Sequence, residues 1–287
     1  MTTDSSPPGA PRAVLHPTDF SAASEVAFVH ALKIALQARA RFYVLHTESS
    51  AREGSDIDWR AFPGVRSTLA RWGLLEEGSP AEAVFERLGV RVSKVDVLDD
   101  DPVRGIVRFL SDHPSDLIVL ATQGRDGWQR WLHRSVAEPL ARETSVPALF
   151  LPHGAKGFVE PETGRARLVR VLLPMDDDPR PDAAIGAAAG LVALLGAGEC
   201  DLHLLHVGDA ARAPAPHVQG GSFARVETST REGAIVDTIV GVAAELEADL
   251  IVMATQGHKG FLDALRGSTT EQVLRRAPCP VFAVPAS

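Results

Sequence analysis

Short apolar runs alternate with longer amphipathic stretches along this 287-residue chain. In the first half, strands are predicted over 13–17, 42–47, 90–97, 116–121 and 147–151, where aliphatic and β-branched residues concentrate. Helical spacing covers 22–39, 65–73, 80–88, 102–112 and 135–143. Continuous apolar strands such as Leu117–Leu120 and Leu250–Met253 suit a parallel sheet with helices on both faces. The resulting order predicts an α/β, doubly wound, mainly parallel five-stranded sheet with right-handed crossovers. Its binding crevice belongs at the carboxyl ends of the strands, where the strand order reverses.

The pattern is written twice. AVLHPTDFS (Ala13 to Ser21) matches RVLLPMDDD (Arg170 to Asp178), and FYVLHT (Phe42 to Thr47) matches LHLLHV (Leu202 to Val207). SDLIVLATQGRDG (Ser115 to Gly127) repeats as ADLIVMATQGHKG (Ala248 to Gly260), and TSVPALFLP (Thr144 to Pro152) as APCPVFAVP (Ala277 to Pro285). Four matches in one order mean a tandem duplication, with domains expected at 1–153 and 168–287. The polar segment GAKGFVEPETGRAR, 154–167, reads as the linker. Equivalent positions are 160 residues apart at His46 and His206 but 133 apart at Gly124 and Gly257, so copy one carries 27 more residues between them. That stretch holds two helical patterns, whereas GDAARAPAPHVQGGS in copy two is too rich in Pro and Gly for a helix; copy two is expected to lack one crossover helix. The apolar last strands, Pro147 to Leu151 and Pro280 to Val284, would be exposed edges in separate domains. They are expected to pair antiparallel within the chain across a pseudo-two-fold axis, the linker keeping them at high effective concentration.

Composition narrows the partners. Lys and Arg number 29 against 37 Asp and Glu, and both halves are acidic, which argues against nucleic acid as a partner. Cys200 and Cys279 make neither a disulfide framework nor a metal motif. The longest uncharged run, Ala183 to Gly198, has 16 residues, short of a bilayer span, so no membrane association is expected. MTTDSSPPGAPR lacks the features of a secretory signal, and a cytoplasmic location is the expectation.

Candidate chemistry centres on Ala254-Thr255-Gln256-Gly257, nine residues, then Gly267-Ser268-Thr269. A strand entering a glycine-bearing loop and then a helix can aim backbone N–H groups at a phosphate. The same pattern also describes a plain turn with Ser268 as helix cap.

The order VLLPMD, LLHV, DLIVMATQG-x9-GST, PCPVFAV resembles the universal stress protein family, twice over nearly the whole chain. The resemblance implies the adenine nucleotide alpha-hydrolase-like fold and last strands paired across a two-fold axis. For nucleotide-binding members it also implies Gly-x-x-Gly, nine residues, Gly-Ser or Gly-Thr, and an Asp after the first strand that reads adenine. Carried over, copy two keeps Asp176, Gly257, Gly267 and Ser268, with Ala254 in place of the first glycine and Thr269 beside Ser268. Copy one keeps Asp19, Gly124 and Ser135 but has Ala121 and Arg134 at glycine positions. The implied cofactor is ATP or ADP, with Mg²⁺ as a possible companion of its phosphates, in copy two.

Other motifs weigh less. Asp99 to Asp101 and Asp176 to Asp178 read mainly as solvated loops and helix starts, Asp176 excepted. His203 and His206 fall on opposite faces of a strand and share no metal; His46 and His206 read as hydrogen-bonded structural residues at equivalent strand ends. Gly186 and Gly190 read as letting a helix lie close on the sheet. No nucleophile elbow, Walker loop or catalytic triad is present. Three readings stand: a nucleotide-binding stress-response module, a structural or partner-binding module without nucleotide, and a slow ATP hydrolase. Homodimerisation beyond the internal pairing is left open.

Overall fold

The computed structural model describes residues 10–48, 64–122, 146–196, 198–218, 221, 223–256 and 269–286. The first half runs β1 (Ala13–Thr18), α1 (Ala22–Ala38), β2 (Arg41–Glu48), α2 (Val65–Arg71) and α3 (Glu82–Leu88). It continues with β3 (Arg91–Leu98), α4 (Pro102–Asp112), β4 (Leu117–Ala121) and β5 (Ala148–Leu151). The second half runs β6 (Arg170–Pro174), α5 (Asp182–Leu195), β7 (Asp201–Val207), β8 (Arg225–Arg231), α6 (Ile235–Glu245), β9 (Leu250–Thr255), α7 (Thr269–Leu274) and β10 (Val281–Pro285). The helix expected over 135–143 lies outside the described residues.

Local chemistry sets these boundaries. Ser21 caps α1 by accepting from the Ser24 N–H, and Arg39 ends it in the left-handed region at φ 51°. Asp101 accepts from the N–H groups of Val103 and Arg104 to start α4, with Pro102 at its first turn. Gly196, at φ 60°, closes α5.

The strands form one ten-stranded sheet in the order β3-β2-β1-β4-β5-β10-β9-β6-β7-β8. Within each half the pairing is parallel. At the seam, β5 and β10 run antiparallel with Phe150 opposite Val281, Leu149 opposite Phe282 and Ala148 opposite Ala283, as the exposed-edge argument requires. Alternate strand residues feed two cores. Val14, Val44 and Val119 face α1, α2, α3 and α5, whereas Leu15, Leu45, Ile118 and Leu120 face α4, α6 and α7.

The halves differ in two places. Between β2 and β3 stand α2 and α3, but between β7 and β8 the described residues hold only a 3-10 turn, Ala210–Arg212. The segment joining the halves is also structured: residues 158–167 fold back on themselves, with Val159 bridging Ala166 and the Arg167 N–H donating to Phe158 O at 2.8 Å. Phe158 and Val159 are buried in the α1-side core. The His30 Nε2 of α1 accepts from the Val159 N–H at 3.1 Å, and the ring meets Phe158 edge-on. Trp72, at the end of α2, donates its indole N–H to Pro161 O at 2.9 Å. Gly164 has φ +66° and lies against that indole, where an added Cβ would sit 2.4 Å from a ring carbon.

One sequence expectation fails. A Cβ added at Gly186 or Gly190 meets no atom within 4 Å, so neither glycine brings α5 onto the sheet. Ala184, Ile185, Ala188, Leu191 and Val192 form the buried face instead. Gly186 and Gly190 lie toward the other side of the helix, where glycine only loosens it. Gly186→Ala and Gly190→Ala are therefore expected to stabilise the protein by about 0.5–1 kcal/mol each. Gly164→Ala is expected to destabilise it by roughly 1–3 kcal/mol through positive φ and overlap with Trp72. Urea unfolding midpoints of the three variants check both signs.

Candidate functional site

The strand order reverses between β1 and β4 in the first half and between β6 and β9 in the second. The two switch points hold the sequence-predicted residues. Asp19 follows β1 and Ala121 ends β4; Asp176 follows β6 by two residues and Ala254 lies at the end of β9. Thr269 opens α7, which packs on the α4/α6 face of the sheet. Gly124, Ser135, Arg134, Gly257, Gly267 and Ser268 lie outside the described residues.

Both loops are hung on equivalent bonds. His46 Nδ1 donates to Thr18 O at 2.9 Å, and His206 Nδ1 to Met175 O at 3.3 Å, each tying the end of a neighbouring strand to the loop that carries the aspartate. The expected structural role of these histidines is observed. His203, on the same strand as His206, instead faces Glu227 at 3.5 Å.

The aspartates themselves differ. Asp19 Oδ1 accepts from the Ser21 N–H at 3.1 Å and from its hydroxyl at 2.6 Å, and Asp19 is half-buried. Next to it Phe20 adopts φ 59°, uncommon for a bulky residue, and packs its ring 4.5 Å from His46. Asp176 is exposed, and its Oδ1 accepts from the Asp177 N–H at 2.8 Å. Positions Phe20 and Ser21 are replaced in the second loop by Asp177 and Asp178. Asp178 reaches across the switch point, accepting from the Gln256 side-chain amide at 3.3 Å.

Beneath the first loop lies a buried polar chain that the motif reading missed. The Phe20 N–H donates to Thr18 Oγ1, which sits 2.8 Å from Ser24 Oγ; Ser24 in turn lies 3.4 Å from His16 Nε2, and His16 Nδ1 donates to Val119 O at 2.9 Å. The carbonyl of Val119 fixes the proton on Nδ1, leaving Nε2 as the acceptor and the imidazole neutral. Burial lowers the His16 pKa to about 4, outweighing the Val119 bond and the nearby Asp19 carboxylate. The sequence signal was available: His16 and Thr18, two apart on a strand, share a face. The second copy has Leu173 and Met175 there.

Elsewhere, Asp99 is buried rather than solvated. Burial by itself would raise its pKa, but hydrogen bonds from Arg104 and the Asp101 N–H, with the charges of Arg104 and Arg108, hold it low. Cys200 and Cys279 are free and buried; burial, with Asp249 nearby, pushes both thiols up to about 12. Among the described residues no three His, Cys, Asp or Glu side chains converge as a metal site. Among those residues, too, no helix is long and apolar enough to cross a membrane.

The repeat, the mirrored sheet and the two switch points agree with a family model described as the universal stress protein family, which matches residues 11–152 and 217–285. The chain belongs to that family. The model's second match begins after β6, α5 and β7, yet these occupy the same places in the sheet as β1, α1 and β2. A universal stress protein of Methanocaldococcus jannaschii is 30% identical over 145 residues, 47% of this chain and 79% of the relative. One from Synechocystis is 42% identical over a shorter stretch, 21% of this chain and 38% of the relative. A solved universal stress protein from Archaeoglobus fulgidus is similar over 96% of both chains, with TM-score 0.59 at 23% identity, which shows the fold alone.

Two buried neutral histidines impose a pH dependence. Burial lowers His30, like His16, from 6.5 to about 4, against its bond to Val26 O. As pH falls through 6.5 the unfolded chain takes up protons on both residues that the folded chain refuses until about 4. Stability is thus expected to fall across that window and to level off below it as far as these two groups are concerned, each contributing roughly 3 kcal/mol. His16→Leu, which installs the residue found in copy two, should remove one histidine's share of the slope. Urea unfolding at a series of pH values checks this, and parallel profiles for the two proteins contradict it.

Proposed function

We propose that this universal stress protein is a cytoplasmic stress-response module that binds one adenine nucleotide, ATP or ADP, in its second half. The observation that carries the reading is the difference between the two switch-point carboxylates. Asp19 is held by both the N–H and the hydroxyl of Ser21, whereas Asp176 is exposed and takes one bond from the adjacent backbone. An ionised carboxylate is an acceptor, suited to the exocyclic amino group of adenine. Across the switch point the chain passes from Ala254 toward Gly257, Gly267, Ser268 and Thr269, the residues assigned to the phosphates. Mg²⁺ would enter with those phosphates as part of the ligand.

In this reading Phe20 and Ser21 make the first loop a structural counterpart, and the second loop, with Asp177 and Asp178 in their places, the binding one. The serine–histidine contact described under the first loop, Ser24 with His16, is buried away from the crevice, so the proposed activity is binding, with turnover no more than slow.

Calorimetric titration of the full chain with ATP and ADP tests the assignment. One nucleotide per chain is expected; Asp176→Ala should cost about 1–3 kcal/mol, roughly five- to 150-fold in affinity, and Asp19→Ala should leave affinity unchanged. Loss confined to Asp19→Ala moves the site to the first half. No heat from wild type at millimolar nucleotide removes the nucleotide and leaves a partner-binding module.

A further inference from the structure

Helices α2 and α3, which have no counterpart among the described residues of the second half, line with edge strand β3 an open cavity of about 720 Å³. It lies against the amino-terminal part of β3, whereas the switch-point crevices lie at the carboxyl ends of the strands. Its size is that of a small-molecule site. Its apolar lining is Val90 just before the strand and Val92 within it, Val65 and Ala70 from α2, and Val84 and Phe85 from α3. Phe85 is 47% exposed, among the most exposed large apolar residues of the described chain. The turn above carries Gly78 at φ +78°, where an added Cβ meets no atom within 4 Å.

The charged groups at the rim are three cationic and two acidic: Arg66, Arg91 and Lys94 against Glu77 and Glu82. In a chain of net charge −8 this is a locally positive concavity. Arg66 and Arg91 are held in place. Arg66 donates through one guanidinium nitrogen to Ser79 O at 2.8 Å, leaving its other N–H groups for a ligand. Arg91 stacks over the Phe85 ring, 4.6 Å from its centroid. Lys94 lies two residues along from Val92 on the same strand face, so a cation borders the apolar lining.

We infer that this cavity is a second ligand site, for a small amphipathic anion: an apolar body on the valine and Phe85 surfaces and one acidic group toward Arg66 and Lys94. Burial of the body supplies affinity, and the charged rim selects the sign of the head group. The second half has no counterpart among its described residues, since a 3-10 turn replaces both helices. One such ligand is therefore expected per chain, independent of nucleotide.

The test is a fluorescence titration of the full chain with anilinonaphthalene sulfonate at neutral pH, in nucleotide-free buffer. Expected is saturable binding of one dye per chain, displaced by decanoate below its micelle concentration and not by decyltrimethylammonium at the same concentration. Ala70→Trp, filling the cavity from α2, and Lys94→Glu, reversing a rim charge, should each weaken decanoate binding at least roughly tenfold while circular dichroism shows an unchanged fold. If Ala70→Trp fails to fold, Ser67→Trp on the exposed flank of α2 serves in its place. The inference is overturned if decanoate does not displace the dye, if the cationic analogue displaces it equally, or if the folded variants bind decanoate as wild type does.

Discussion

Three residue pairs at the centre of the sheet hold the architecture in place: Phe150 with Val281, Leu149 with Phe282, and Ala148 with Ala283. All six are buried, and each strand would otherwise be an apolar edge open to another chain. Pairing them antiparallel converts two five-stranded sheets into one, with β3 and β8 as its edges among the described residues. Those edges carry the charge that the seam lacks, with Arg91, Lys94 and Asp96 on one and Arg225, Glu227 and Arg231 on the other. The seam also dictates where the crevices lie. Because equivalent strands meet antiparallel, the carboxyl ends of the two halves point in opposite directions, and the two switch points are kept apart at opposite margins of the sheet.

A duplicated chain invites the assumption that its two halves are interchangeable, and the interior argues otherwise. The first half places a neutral histidine, a serine and a threonine under its loop, where the second has Leu173 and Met175. It also carries α2 and α3, and the connecting segment is held from two of its elements: Trp72 at the end of α2 holds Pro161, while His30 of α1 holds Val159. The connection thus docks on the first half. That division is compatible with a structural first half and a binding second half, with the insertion available for a separate ligand.

Much of this was legible in the sequence because the same physics was written twice. The strand and helix periods, the seam and the switch points each appeared in two copies, so a local ambiguity in one was settled by the other. What escaped was tertiary in origin. The polar composition of residues 154–167 reads as a linker and does not show its docking, which rests on Phe158, Val159 and Gly164 meeting side chains far away in the chain. Asp19 and Asp176 look equivalent because each follows the first strand of its copy; the distinction lies in their neighbours, Phe20 and Ser21 against Asp177 and Asp178. The spacing of Gly186 and Gly190 suggested close packing, yet which face of a helix is buried depends on the sheet beneath it.

The longest repeated motif is itself divided between support and function. Its aspartates, Asp116 and Asp249, sit at the amino-terminal end of the sheet, each accepting from two consecutive backbone N–H groups. Asp116 takes Arg12 and Ala13, and Asp249 takes Val169 and Arg170, so each fastens the first strand of its half to the fourth. A charge-assisted pair of this kind is strong and short-ranged, and it serves both halves alike. The near identity of the motif between copies therefore reflects a shared structural demand at its start as much as any ligand at its end. The chain reaches the switch points at the ends of β4 and β9, at Ala121 and Ala254, and both copies continue through Thr-Gln-Gly before their sequences part. The loop aspartates and the groups around them are where the two crevices differ in the structure, Ser21 holding Asp19 and the Asp177 N–H meeting Asp176, because the architecture makes no demand for symmetry there.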